Sequence, residues 1–175
     1  MKNLWNKEFE AIKDSSTPDE IIKAQCTILA KMTNDKIVAR VSSYSGAFRP
    51  YTTKSLFEPI SSMMEAKLVD IQKDLGSVSE GGFTFEFFIT STATPNYKYR
   101  VLFLRYEIPF YPCFMILDEA IGTELGIGQS FKCDTQEDFE NKLGQILGSK
   151  KIENVVGALL AIVKKEEDEN ALYQQ

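Results

Sequence analysis

The chain has 175 residues, which suits one domain with a single core, and its hydrophobic and charged fractions of 43% and 26% argue against a disordered chain. Twenty basic and 25 acidic residues give a net charge of −5. A phosphate backbone repels such a surface, so the charge argues against a nucleic-acid partner and favours a basic protein.

The start of the chain predicts two helices. Residues 2–13 place apolar side chains along one stripe, and the acids among them are unlike a basic-then-apolar leader. Thr17 to Glu20 then predicts a helix start, with Thr17 as N-cap and Glu20 completing a capping box. No run approaches 18 apolar residues, so we expect no helix that spans a membrane and a cytoplasmic protein.

The next two segments differ in how clear their hydrophobic pattern is. Residues 36–44 fit either a helix or a strand, and we favour a helix that pairs with the one before it. After a loop marked by Gly46 and Pro50, the apolar residues of 56–75 recur at helical spacing and predict a long amphipathic helix.

Residues 82–133 predict a sheet. Phe83, Phe85, Phe87 and Ile89 alternate with other residues and predict a strand with one strongly apolar face. Further strands are predicted at residues 97–108, 113–120 and 129–133, with residues 122–128 as a turn. Short connections favour an antiparallel meander of four strands.

The end of the chain predicts a pair of helices. The segment from Asp134 to Asp138 has capping residues and first-turn acids, which indicate a helix start, and Gly148-Ser149 separates this helix from the last one. We therefore predict a single α+β domain, with a four-stranded, mainly antiparallel sheet flanked by N-terminal and C-terminal helices. Its parts are residues 1–75 (mainly helical), 82–133 (sheet), 135–165 (helical pair) and 166–175 (frayed tail).

Several common catalytic systems are excluded because one residue type is absent. The chain has no histidine, which removes Ser-His-Asp and Cys-His nucleophilic systems and the usual zinc ligands. Cys26, Cys113 and Cys133 have no CxxC spacing, and we interpret them as buried free thiols. We predict no catalytic residue, no metal site and no cofactor.

Three weaker patterns are typical of an enzyme or a ligand site. Asp118 and Glu119, with Glu107 nearby in sequence, could do carboxylate chemistry, but adjacent strand residues point to opposite faces. The glycines of residues 122–128 resemble a phosphate-binding loop that lacks its Lys-Ser/Thr, so turn glycines explain them better. The aromatic residues of 97–103 could stack RNA bases, although the net acidity argues against it.

One local charge imbalance points to a partner. Residues 118–140 hold seven acids and a single base, Lys132. The acids are Asp118, Glu119, Glu124, Asp134, Glu137, Asp138 and Glu140. They either are a solvated helix N-terminus, where the dipole favours negative charge, or form a patch that binds a basic partner.

The order of these features resembles small bacterial immunity proteins. The resemblance lies in a strand meander with Tyr111-Pro112 leading into a strand, then Asp134-Thr-Gln-Glu-Asp-Phe, then paired C-terminal helices, and it covers residues 82–163. It implies a cytosolic, non-enzymatic protein that neutralises a basic toxin, such as a nuclease effector, by occluding its active site. The alternatives are an intracellular adaptor or chaperone that binds a protein partner, and a carboxylate-based enzyme.

Overall fold

The computed structural model describes residues 16–45 and 82–172, and this part of the chain has four helices and five strands. In chain order they are α1 (Pro18–Met32), β1 (Ile37–Ser43), β2 (Phe83–Ser91), β3 (Tyr99–Tyr106), β4 (Cys113–Leu117), α2 (Glu119–Leu125), β5 (Ser130–Cys133), α3 (Gln136–Leu147) and α4 (Lys150–Leu172). The helices predicted at residues 2–13 and 56–75 lie outside the described residues.

The strands form one antiparallel sheet in the order β1-β2-β3-β4-β5, so each strand lies beside its neighbour in the chain. This confirms an α+β fold with an antiparallel meander. The sheet has five strands rather than the four predicted.

The extra strand is β1, and the prediction that residues 36–44 form a helix is wrong. Asn34 and Asp35 both have positive φ, at 50° and 60°, and they reverse the chain directly after α1. The segment then pairs with β2 from Ile37 opposite Ser91 to Ser43 opposite Phe85. A segment with an ambiguous local pattern follows the pairing that the tertiary structure offers.

The predicted start of α1 is confirmed. The Thr17 N–H donates to the Glu20 carboxylate at 3.0 Å, which is one half of the capping box. Asp19 in this first turn is buried, and it accepts hydrogen bonds from the Tyr106 hydroxyl and from Lys23, the latter at 2.6 Å. Burial raises the pKa of Asp19, but these hydrogen bonds outweigh burial and hold that pKa below its usual value.

The core lies between one face of the sheet and the helices. Its largest fully buried side chains include Phe87, Ile89, Leu102, Leu104 and Met115 from the strands and Ile22 and Phe139 from the helices. The predicted apolar face of β2 is therefore buried at Phe87 and Ile89, but Phe85 is half-buried and Phe83 is 45% exposed. The alternate residues of β2, including Glu86 and Phe88, are buried as well.

The pairing of β2 with β3 shifts by one residue between Phe87 and Phe88. Phe87 lies opposite Leu102, whereas Phe88 lies opposite Arg100, so Val101 is the extra residue of a bulge. Because a shift of one residue moves side chains to the other face, Tyr99 joins the core beside Ile89.

Three boundaries at the C-terminal end differ from those predicted. The strand predicted at 113–120 ends at Leu117, because Asp118 caps α2 and its carboxylate accepts from the Ala120 N–H at 2.9 Å. Residues 122–128, predicted as a turn, are therefore helical up to Leu125, and Gly126 ends the helix at a φ of 66°. Residues 166–172, predicted as a frayed tail, continue α4.

Two ends of the sheet can be named from the register. Phe83, Tyr106, Cys113 and Cys133 lie opposite one another in successive strands, and we call this the Cys133 end. At the other end, the Asp118 end, the Leu117 N–H donates to the Gln129 carbonyl at 2.7 Å, and Asp118 follows directly. None of the helices in the described segments combines the length with the apolar character that a bilayer-spanning helix needs.

Candidate functional site

The seven acids predicted as a patch lie at both ends of the sheet. Asp118, Glu119 and Glu124 belong to the Asp118 end, because they follow β4. The other four, from Asp134 to Glu140, belong to the Cys133 end, because they follow β5, which runs antiparallel to β4. Helix α3 has 12 residues, about 18 Å, and runs away from the Cys133 end. The structure therefore does not bring the seven together.

Two acids of the Asp118 end have structural roles. Asp118 has no exposed surface and caps α2. The Glu124 carboxylate accepts hydrogen bonds from the first two backbone N–H groups of α4, those of Lys150 and Lys151, the second at 2.9 Å. Of the three acids at this end, only Glu119 is exposed and has no structural role of this kind.

The acids of the Cys133 end are partly neutralised. Asp134 forms an ion pair with Lys132 at 2.6 Å, and Asp138 forms one with Lys142 at 2.9 Å. The hydrogen bond from Lys142 lowers the pKa of Asp138. Lys142 lies just beyond the segment that the sequence singled out, so the charge imbalance there is smaller than the residue count indicates.

Glu137 and Glu140 are the acids of this end that remain exposed and unneutralised. Glu140 accepts a hydrogen bond from the Gln136 amide at 2.7 Å, and neither glutamate forms an ion pair with any residue in the described segments. Glu137 lies in the first turn of α3, where the helix dipole stabilises negative charge, and Glu140 follows it three residues later.

Exposed apolar side chains lie at the same end. Ile108 is 78% exposed in the loop that joins β3 to β4, and Phe83 is 45% exposed at the start of β2. The Phe83 ring packs on Tyr106 with centroids 5.4 Å apart. The loop reaches α3 through Tyr111, whose ring centroid lies 6.3 Å from that of Phe139.

These residues define a surface that we call the acidic end surface: Phe83, Glu107, Ile108, Glu137 and Glu140. Its two apolar members were missed by sequence reasoning, which took Phe83 as buried and Ile108 as the end of a strand. The signal that could have found Ile108 is Pro109 directly after it, since proline cannot donate to a sheet ladder and marks the end of a strand.

Two cysteines form a buried pair beneath this end. Cys113 and Cys133 are free, fully buried and directly opposite each other in β4 and β5. The Cys113 S–H donates to Cys133, which lowers the pKa of Cys133 and raises that of Cys113. The prediction of buried free thiols is confirmed for this pair, whereas Cys26 is partly buried.

The positions of the residues do not support two of the alternatives, a carboxylate-based active site and an RNA-binding aromatic face. Glu107 lies at the Cys133 end and Asp118 at the other, so these carboxylates do not converge as a glycosidase-like pair would. The aromatic platform for RNA bases does not exist either. Tyr99 and Phe103 are 7% and 1% exposed, and the bulge places them on opposite faces of the sheet.

No group of three or more His, Cys, Asp or Glu residues in segments 16–45 and 82–172 is placed to hold a metal ion. Comparison with protein-family models, curated proteins and solved structures finds no match to the chain. The function is therefore inferred from the chain's own residues.

Proposed function

We propose that this is a cytoplasmic, non-enzymatic binding protein that neutralises a basic toxin or effector domain by covering its active site. The observation that supports this best is the acidic end surface, where Glu137 and Glu140 remain unneutralised at the same end of the fold as the exposed Ile108. The basic target is a domain such as a nuclease, because a protein that binds a phosphate backbone carries a surface rich in lysine and arginine.

The two kinds of residue on this surface have different roles in binding. Exposed Ile108 and Phe83 provide apolar area that a partner can remove from water, which lowers the dissociation rate. Glu137 and Glu140 lie at the same end of the fold and attract positive charge, which raises the association rate, whereas Glu107 is ion-paired with Arg105 at 3.4 Å. An apolar centre with a polar rim is the usual arrangement of a protein–protein interface.

The test measures association with a basic toxin domain encoded beside this gene. The double variant Glu137→Lys/Glu140→Lys changes the net charge by +4 at the Cys133 end. A matched control, Glu119→Lys/Glu166→Lys, makes the same change at two exposed glutamates elsewhere. We expect the first variant to associate roughly tenfold more slowly or worse and the control to stay near wild type, because attraction between nearby charges dominates encounter.

The apolar part is tested separately. Ile108→Ser removes apolar contact area from a side chain that is already 78% exposed, so we expect the fold to be unaffected and the complex to dissociate faster. Equal slowing by both charge variants would show that only net charge matters and would refute this surface. Stable binding to a housekeeping complex instead of a toxin would favour an adaptor over an immunity function.

A further inference from the structure

Cys113 and Cys133 lie where a disulfide would join β4 to β5. They are direct partners in the antiparallel pairing of β4 with β5. Directly opposite residues in such a pair have Cα atoms about 4.5–5.5 Å apart, and disulfides span Cα distances of roughly 4.4–6.8 Å. The strand register therefore already holds their Cα atoms at a spacing that a disulfide can span.

We propose that Cys113 and Cys133 are a redox modification site, at which hydrogen peroxide converts the two thiols to a disulfide that crosslinks β4 to β5. The reaction is balanced in two steps. The Cys133 thiolate attacks one peroxide oxygen, the O–O bond breaks, and Cys133 becomes a sulfenic acid while hydroxide leaves. The Cys113 sulfur then attacks the Cys133 sulfur, the S–O bond breaks, and a second hydroxide leaves. The two thiol protons convert the hydroxides to water, so both sulfurs are oxidised and one peroxide is reduced to two waters.

Cys133 is assigned the first step because its surroundings favour the thiolate. A hydrogen bond from Cys113 is the largest influence and lowers the pKa of Cys133, burial acts in the opposite direction, and the positive charge of Lys142 lowers the pKa further. Lys142 is held there by Asp138 and by the Lys132 carbonyl oxygen, which accepts from it at 3.2 Å. Asp134 and Asp138 act in the opposite direction on Cys133, and they are themselves paired with Lys132 and Lys142.

Local opening of β5 gives a peroxide access to the buried pair. This strand has four residues and lies at the edge of the sheet, where it pairs with β4 alone among the described strands. Short edge strands open locally at a lower free energy than the whole fold. The site is independent of the proposed binding function, because no residue of the acidic end surface takes part in the chemistry.

The protein is treated with hydrogen peroxide, then unfolded and alkylated with iodoacetamide, and its intact mass is measured by mass spectrometry. We expect wild type to lose two hydrogens and to take up one alkyl group, at Cys26. Cys26→Ser is the control that should lose the same two hydrogens and take up none. A peptide that joins Cys113 to Cys133 identifies the bond.

The role of each sulfur is tested by trapping. Cys113→Ala lacks the second sulfur, so we expect dimedone to label Cys133 as a sulfenic acid, and Cys133→Ala to give much less label at Cys113. Lys142→Met should slow disulfide formation, roughly three- to fourfold for each unit by which the pKa of Cys133 rises, because the loss of thiolate is partly offset by its greater nucleophilicity, whereas Lys132→Met should not.

The wild-type measurement needs no substitution and decides the matter even if a variant fails to fold. Three alkylatable thiols after a peroxide treatment that oxidises the same protein in urea would overturn the proposal. A disulfide that involves Cys26 would overturn it too.

Discussion

Replacing Glu124 by alanine separates a structural role from a binding role for this residue. Sequence reasoning placed Glu124 in a partner-binding patch, whereas the structure shows it accepting from the Lys150 and Lys151 N–H groups. Of the other two N–H groups at this helix start, that of Ile152 donates to the Ser149 hydroxyl at 3.3 Å and that of Ser149 donates to the Ile146 carbonyl at 3.2 Å. The four amides that a helix start leaves unpaired are therefore all bonded, two of them by Glu124.

The expected loss follows from those two hydrogen bonds. Removing a capping side chain costs about 0.5–2 kcal/mol, and water replaces part of the lost interaction because Glu124 is exposed. We therefore expect Glu124→Ala to lower the free energy of unfolding by about 1–2 kcal/mol. For a chain of this size each kcal/mol lowers Tm by about 2–4 °C.

Thermal and urea unfolding, followed by circular dichroism, measure this effect. Glu124→Gln keeps an acceptor oxygen and should retain much of the stability. Glu137→Ala removes an exposed glutamate from the first turn of α3 that accepts no backbone hydrogen bond, so it should cost only the dipole interaction, about 0.3–1 kcal/mol. If Glu124→Ala and Glu137→Ala melt together, Glu124 does not stabilise α4 in the way described.

Two further predictions concern the core and the buried carboxylate. Phe87→Ala should lower the free energy of unfolding, measured in urea, by about 3–5 kcal/mol and Phe83→Ala by much less, because Phe87 is 2% exposed and Phe83 is 45% exposed. Similar losses for the two variants would show that the buried stretch of β2 is misassigned. Asp19→Asn should destabilise at pH 7, because the folded-state pKa of Asp19 is lowered and its stabilisation is present above the ordinary value of 3.8. The difference in free energy of unfolding between Asp19→Asn and wild type should shrink as the pH falls through the folded-state pKa of Asp19. A difference that grows in acid would contradict the assigned hydrogen bonds.

Where neighbouring residues determine the conformation, the sequence was sufficient. The start of α1 at Thr17 and the start of α3 after Asp134 depend on side chains that bond to backbone groups three or four positions away. The alternation of Phe83 to Ile89 depends on the two-residue repeat of a strand, which is local as well. These local features were enough to predict the α+β class and the antiparallel order of β2 to β5 from the sequence alone.

The tertiary structure decided everything that depends on residues far apart in the chain. Residues 37–43 became a strand because β2 offered an edge to pair with, some 45 positions later. Glu124 became a cap because the start of α4 lies beside it. The seven acids were separated because β4 and β5 run in opposite directions, and the same register placed Cys113 directly opposite Cys133. Spacing along the chain carries no information about such contacts, since they are fixed by strand register and by the packing of whole elements.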